Sequence, residues 1–385
     1  MRKLVSKAVI GGAFFCFGSA AAAQPDPAAL RVIQRSEAAS AELPPVGPGN
    51  RDWMAAHFIN VGQGAATLLE FSCGLALIDT GGQETGSINW PQRLIDYLNG
   101  VFERRPELRR TIDIVILTHP HLDHTLGVPA VIAPANRIRI LNVVTNAQPN
   151  GSGIRGQKDL LEHAADGGIP RTQVTTAMIR SSRGLRNSVI DPLNCNRGAP
   201  DIRVLWGSVV GTQAWRSNGN NHSVVVRVGF GESSFLITGD LADGSHATFR
   251  QRYAANPQTL NVDVYSPGHH GARDGTTRGL VRDITPELAV ISAGNPSEEG
   301  LDASAWDYGH PNAQSLGLLT DETTGVTFTR PTRRVAVGLR GRPFDNSTPP
   351  EWEWRNMTRA IFSTGWDGNV VVFAHTSGEK RILID

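Results

Sequence analysis

A layered α/β domain is the fold class this sequence predicts, and three observations predict it. Short apolar runs are punctuated by glycine, stretches of helical periodicity fall between them, and polar clusters close several of the runs. The runs begin with His57-Phe58-Ile59-Asn60-Val61, Ala66-Thr67-Leu68-Leu69-Glu70-Phe71 and Leu75-Ala76-Leu77-Ile78-Asp79, a strand meander. From Pro91 to Phe102, Leu94, Ile95, Tyr97, Leu98 and Val101 fall at helical spacing, and Ile112 to Thr118 is a β-branched strand. Asn136 to Val144 reads as another strand. Residues 151–199, with a helical piece at Lys158 to Ala165 followed by glycine-, arginine- and asparagine-rich sequence, read as an insertion near the site mouth. Strands return at Ile202–Trp206, Ser223–Val228, Ser234–Thr238, Val262–Ser266 and Leu288–Ser292, with a helix from Gly244 to Tyr253 and short β segments from Ala360 to Ile384.

The chain starts with Arg2, Lys3 and Lys7, an apolar stretch around Val9 to Phe17 and the small residues Ala20-Ala21-Ala22-Ala23. This pattern predicts a secretory signal peptide over 1–23. A proline- and alanine-rich lead-in, partly helical in composition, follows over 24–51, and 52–385 reads as one domain. No later stretch is apolar and long enough for a membrane helix, so the expected product is periplasmic or secreted. Without the leader's three basic residues, 34 Lys and Arg face 36 Asp and Glu. That balance permits nucleic acid without indicating it, because duplex binders concentrate positive charge. Cys73 and Cys195 remain after the leader, in a compartment where a disulfide would persist, and sequence leaves their pairing open. Oligomeric state is equally open.

The chemistry is concentrated in His119-Pro120-His121-Leu122-Asp123-His124, directly after the Ile112 strand. Imidazole and carboxylate suit borderline divalent cations, and the end of a rigid strand is where open α/β sheets place ligands. The spacing can begin two neighbouring sites, His119 and His121 on one ion, Asp123 and His124 on the other. Asp240, ending the strand in Thr238-Gly239-Asp240, is the candidate bridge. Of the adjacent His269 and His270, which follow the Val262 strand, His270 is the favoured ligand and His269 a second layer. In Asn220-Asn221-His222-Ser223, either His222 or an asparagine oxygen could complete the first site, and Asn221 is a candidate substrate contact. Asp79 ends its strand as a group that would orient histidines, which need a partner on the second ring nitrogen. His310, in Tyr308-Gly309-His310-Pro311, is a candidate substrate or oxyanion contact. His57, His163, His246 and His375 read as ordinary polar or core histidines.

Taken together, His-x-His-x-Asp-His, Ile78-Asp79-Thr80-Gly81, Thr238-Gly239-Asp240 and His269-His270-Gly271 resemble the metallo-β-lactamase superfamily of binuclear metallohydrolases. Phe58-Ile59-Asn60-Val61-Gly62-Gln63-Gly64-Ala65, Asn220-Asn221-His222-Ser223 and Tyr308-Gly309-His310-Pro311 are similar, more narrowly, to the hydrolase domain of ComEC-type DNA-uptake proteins. Asn60 and Ala65 stand where that branch usually has aspartates. The resemblance runs from about His57 to the C-terminus and implies an αββα sandwich with two divalent metal ions, zinc or manganese, at one sheet edge. For this branch it also implies phosphodiester cleavage. The expected mechanism is attack by a water made acidic between the cations, with Asp123 and Asp240 orienting it and His310 or His269 serving the leaving group. Carboxylic esters, lactones or β-lactams are the alternative substrates, and a non-catalytic exported binding protein is the alternative class.

Overall fold

The central strands of this chain, such as Trp53–Phe58, Gly74–Ile78, Ile114–Ile116 and Leu288–Ile291, are buried at every position because both of their faces are covered. In the computed structural model, which describes residues 30–36, 43–83, 88–209, 218–295, 305–342 and 347–385, they form two facing sheets. The first sheet runs, edge to edge, Arg31–Gln34, Lys380–Ile384, Val370–His375, Trp53–Phe58, Thr67–Phe71, Gly74–Ile78, Ile114–Ile116, Val143–Asn146 and Arg171–Val174. The second runs Asp201–Trp206, Val225–Phe230, Ser233–Ile237, Val264–Ser266, Leu288–Ile291 and Ile361–Ser363. Each contains an antiparallel meander that gives way to parallel strands. In the first sheet the change falls where Gly74–Ile78 meets Ile114–Ile116, and in the second where Ser233–Ile237 meets Val264–Ser266.

Alternation along each strand separates the layers. Ala76, Ile78, Ile114 and Ile116 enter the core between the sheets with Val226, Val228 and Phe235, while Leu75, Leu77 and Val115 face outward onto Leu94, Leu98 and Val101. Those last three residues belong to the helix Trp90–Arg104, which is capped by the Asn89 side chain and carries Pro91 in its first turn. The helices Ile154–Asp166, Asp243–Arg252, Arg278–Ile284 and Ala313–Leu319 complete the outer layers, giving the αββα sandwich. Among the described residues, no helix is long and apolar enough to cross a membrane.

Several expectations need correction. The lead-in is not helical where it is described: Arg31–Gln34 is a strand paired parallel with Lys380–Ile384, since Val32 and Ile33 suit an open sheet edge. The segment 151–199 is not wholly an insertion. Its helix spans Ile154–Asp166 and its strand Arg171–Val174 extends the first sheet parallel to Val143–Asn146, leaving only the part beyond about 175 irregular. The expected strand over 136–144 is two short pieces, Arg139–Ile140 and Val143–Asn146. An unexpected hairpin, Thr329–Arg340 with Glu351–Arg359, stands apart as its own two-stranded sheet. Cys73 and Cys195 form a disulfide across 122 positions, tying the irregular segment to the Phe71–Gly74 turn. The expected signal peptide, 1–23, lies outside the described residues.

Candidate metal centre

The parallel strands of both sheets end at one edge, and the polar groups converge there. Gly74–Ile78 delivers Asp79, Ile114–Ile116 delivers Thr118 and His119, Ser233–Ile237 delivers Asp240, and Val264–Ser266 delivers His269 and His270. His121 precedes the short helix Leu122–Thr125, which presents Asp123 and His124. Two glycines allow the crowding. A side chain at Gly64 would come within 2.5 Å of the Asp123 carbonyl, and one at Gly239, which has φ +53°, within 2.8 Å of Thr118.

Two groups of ligand atoms result, each within 4.8 Å of one another: His119, His121 and Asp240, and Asp123, His124, Asp240 and His270. Asp240 belongs to both. Its Oδ2 lies 3.7 Å from His119 Nε2 and its Oδ1 lies 3.0 Å from His124 Nε2 and 3.5 Å from His270 Nε2. His270 Nε2 is 3.1 Å from Asp123 Oδ2. Burial opposes the Asp240 charge, yet His124 and His270 hold its carboxyl well below the usual carboxylate range.

In His119, His124 and His270 the ring nitrogen not aimed into the cluster has a partner. His124 donates from Nδ1 to Asp79 Oδ2 at 2.7 Å, and His270 donates from Nδ1 to the Ser292 carbonyl at 2.7 Å. His119 Nδ1 pairs with Thr118 Oγ1 at 3.1 Å. Asp79 also accepts the Thr118 N–H and hydroxyl, each at 2.7 Å, from a backbone held at φ +58°. By contrast, His119 Nε2 and His124 Nε2 are fully buried and face only the shared Asp240 carboxylate, at 3.7 and 3.0 Å, with no other hydrogen-bond partner. Buried polar atoms are seldom left so, and neutral imidazole nitrogens facing a shared carboxylate are what a divalent cation requires. The residues present therefore fit divalent metal.

The other predicted site residues divide. His222 joins neither group. The Val209 N–H donates to its Nδ1 at 2.9 Å, and its own carbonyl accepts from Asn146, so the ring serves the neighbouring loop. Asn221 does not line the cavity: its side chain lies beside Gly244, and its carbonyl accepts from Trp206 Nε1. Asn220 is the member of that turn on the cavity wall. Its Oδ1 is buried without a partner, and the preceding Gly219 lies so near that a Cβ there would stand 2.9 Å from His121 Nε2.

The cavity, about 450 Å³, is bounded by His121, Asp123, Asp240, Tyr308, His310 and both residues of the His269-His270 pair. His310, pushed down to about 3 by burial and by His269 and His270, is a neutral imidazole stacked on Tyr308. His269 Nδ1 is held 2.7 Å from Asp274, a residue sequence reasoning missed because a loop carboxylate five positions away has no signature. Gln63 and Gln83 also reach the cavity. Gln63 lies in a motif already singled out, whereas Gln83 had no signal.

Fold and site together are those of a metallo-β-lactamase-type αββα sandwich whose strand-end residues fit divalent metal. The family pattern described as Metallo-beta-lactamase superfamily matches residues 59–144, the stretch holding Asp79 and the histidine cluster. It is similar to ComE operon protein 3 of Bacillus subtilis (strain 168), 24% identical over 309 residues covering 78% of this chain and 35% of that protein. It is also similar to Recombination protein 2 of Haemophilus influenzae, 27% identical over 237 residues covering 61% of this chain and 24% of that one. These relatives bear out the ComEC-type resemblance, and the chain spans about a third or less of their length. Among solved structures, the metallo-beta-lactamase fold protein YhfI from Bacillus subtilis matches with a TM-score of 0.38 and 12% identity, over 62% of this chain and 85% of that one.

Proposed function

We propose that residues 52–385 form an exported hydrolase of phosphodiester bonds that works with two divalent cations, zinc or manganese. One observation carries the reading: two ligand groups share Asp240 while the buried Nε2 atoms of His119 and His124 lack any other partner. Asn220 is the neutral oxygen we assign to the first group, in place of His222. Bound there, the cations would supply Lewis acidity and lower the pKa of a water they hold toward neutrality.

The chain's own residues do the rest. Asp240 and Asp123 fix the reacting position between the two groups, and Asp79 and Ser292 lock the tautomers of His124 and His270 so that Nε2 points inward. His310, uncharged, offers a hydrogen bond to an anionic oxygen without adding charge of its own. His269, with Nδ1 engaged by Asp274, keeps Nε2 as its remaining polar atom on the cavity wall, where it can hand a proton to a leaving oxygen. Phosphodiesters are preferred over carbonyl substrates because of the ComEC-type relatives. Export is supported by the leader pattern and by the Cys73–Cys195 disulfide, a bond that persists in oxidising compartments.

The test is hydrolysis of bis-p-nitrophenyl phosphate by the chain and by an Asp123→Ala, His124→Ala double variant. Cleavage lost on chelation and in the variant is expected. Hydrolysis of an ester, lactone or β-lactam with every phosphodiester untouched would overturn the substrate assignment.

A further inference from the structure

A second cavity, about 250 Å³, opens on the edge of the second sheet and shares no lining residue with the metal cavity. Three arginines, Arg183, Arg203 and Arg227, and one carboxylate, Asp201, line it, so positive charge exceeds negative on its walls. Arg203 and Arg227 sit directly opposite each other on the antiparallel strands Asp201–Trp206 and Val225–Phe230, an arrangement that costs stability unless negative charge separates the pair. Asp201 does not serve both. Its carboxylate takes Arg203 Nε at 2.9 and 2.8 Å, and Arg186 approaches it at 3.4 Å. Arg227 forms no ion pair among the described residues, and its Nε is buried with no hydrogen-bond partner. Burial pulls its pKa below the usual guanidinium range; Asp201 and, less, Asp263 act against that, and the nearby Arg203 adds to it. The opposite wall is fastened in place: Thr259 and Asn256 donate to the Ser182 carbonyl at 2.8 and 3.3 Å, which holds the backbone next to Arg183.

A half-buried guanidinium whose Nε has no acceptor, beside a second arginine without an ion pair among the described residues, matches the oxygens of a tetrahedral dianion, which guanidinium forks bind in pairs. At ~30 Å³ per water the space equals about eight waters, room for a phosphate with a small organic group attached. We propose that this cavity is a metal-independent anion site that takes the phosphate group of inorganic phosphate or of a phosphomonoester between Arg227 and Arg183.

The test is calorimetric titration of the full chain, stripped of metal by chelation, with inorganic phosphate and in parallel with adenosine monophosphate. Saturable binding is expected, unchanged in the Asp123→Ala, His124→Ala variant, which separates it from any anion held at the metal centre. Arg227→Gln and, independently, the exposed Arg183→Gln should each weaken it about tenfold, the ~1.4 kcal/mol of one charged hydrogen bond. Phosphate should raise the melting temperature of the parent chain, and Arg227→Gln should need about ten times more phosphate for the same rise. Equal affinity for the two probes would assign the site to the phosphate group alone, and tighter monophosphate binding would assign it to the ester. No saturable binding to the stripped chain, or binding that both arginine variants retain in full, would overturn the proposal.

Discussion

Replacing Asp79 by asparagine isolates what the buried carboxylate does, because asparagine matches its shape and tolerates the positive φ of 58° that this position requires. The carboxylate accepts three hydrogen bonds, from the Thr118 N–H, the Thr118 hydroxyl and His124 Nδ1, all at 2.7 Å. The last two share Oδ2. An asparagine that keeps its oxygen on the Thr118 N–H must present its NH₂ to His124, so the ring is driven to the tautomer protonated on Nε2, the nitrogen offered to the cation. Turning the amide over instead sets NH₂ against the Thr118 N–H. Either way the second group loses a correctly prepared ligand. Substitutions of this kind cost about 10- to 100-fold in metal affinity, or ~1.4 to 2.8 kcal/mol. Competition against a chromophoric chelator measures the affinity, and bis-p-nitrophenyl phosphate turnover should fall in step at limiting metal. Parental affinity in Asp79→Asn would refute the claim that Asp79 sets the His124 tautomer.

Other outcomes follow from the same geometry. His222→Gln should leave both cations bound, whereas Asn220→Ala should loosen the first while sparing the second, read by stepwise chelator competition. Removing the disulfide by Cys73→Ser and Cys195→Ser opens a loop of 122 positions, worth up to about 5 kcal/mol in chain entropy, and should lower the denaturant midpoint. Burial raises the Glu70 pKa, but hydrogen bonds and charge from His57 and Arg105 outweigh it and hold the carboxyl below its ordinary value. A depressed folded pKa means stabilisation that is complete above the unfolded value and is lost as pH falls through the folded one. Melting temperature should thus drop on acidification below about pH 4.5, and Glu70→Gln should flatten that part of the profile.

Most of the metal centre was legible because its residues occur as local strings at strand ends, where backbone geometry already fixes the edge they occupy. The His119 to His124 run, Gly239-Asp240 and His269-His270 needed only the topology that brings the strands side by side. What was not legible depends on contacts between distant segments. Which member of Asn220-Asn221-His222 faces the cavity is set by a single tight turn and by the pull of Val209 on His222, neither of which has a sequence pattern. Asp274 and Gln83 lie in loops without periodicity. Arg31–Gln34 was misread because its stabilising partner, Lys380–Ile384, lies at the other end of the chain. The Thr329–Arg340 hairpin went unread for a different reason: its first half, Thr329 to Arg334, is polar and buries Arg330, while Val335, Ala336 and Val337 are buried in succession, so the alternation of a half-buried strand is absent.

The account turns on Asp240 serving two cations at once. Elemental analysis of the purified chain beside Asp240→Asn, an isosteric change at a buried position, tests this most directly. The geometry predicts about two divalent ions per parent chain and loss of both from the variant, since each ligand group loses its shared carboxylate. A parent chain that holds a single ion, or an Asp240→Asn variant that retains two, would contradict it.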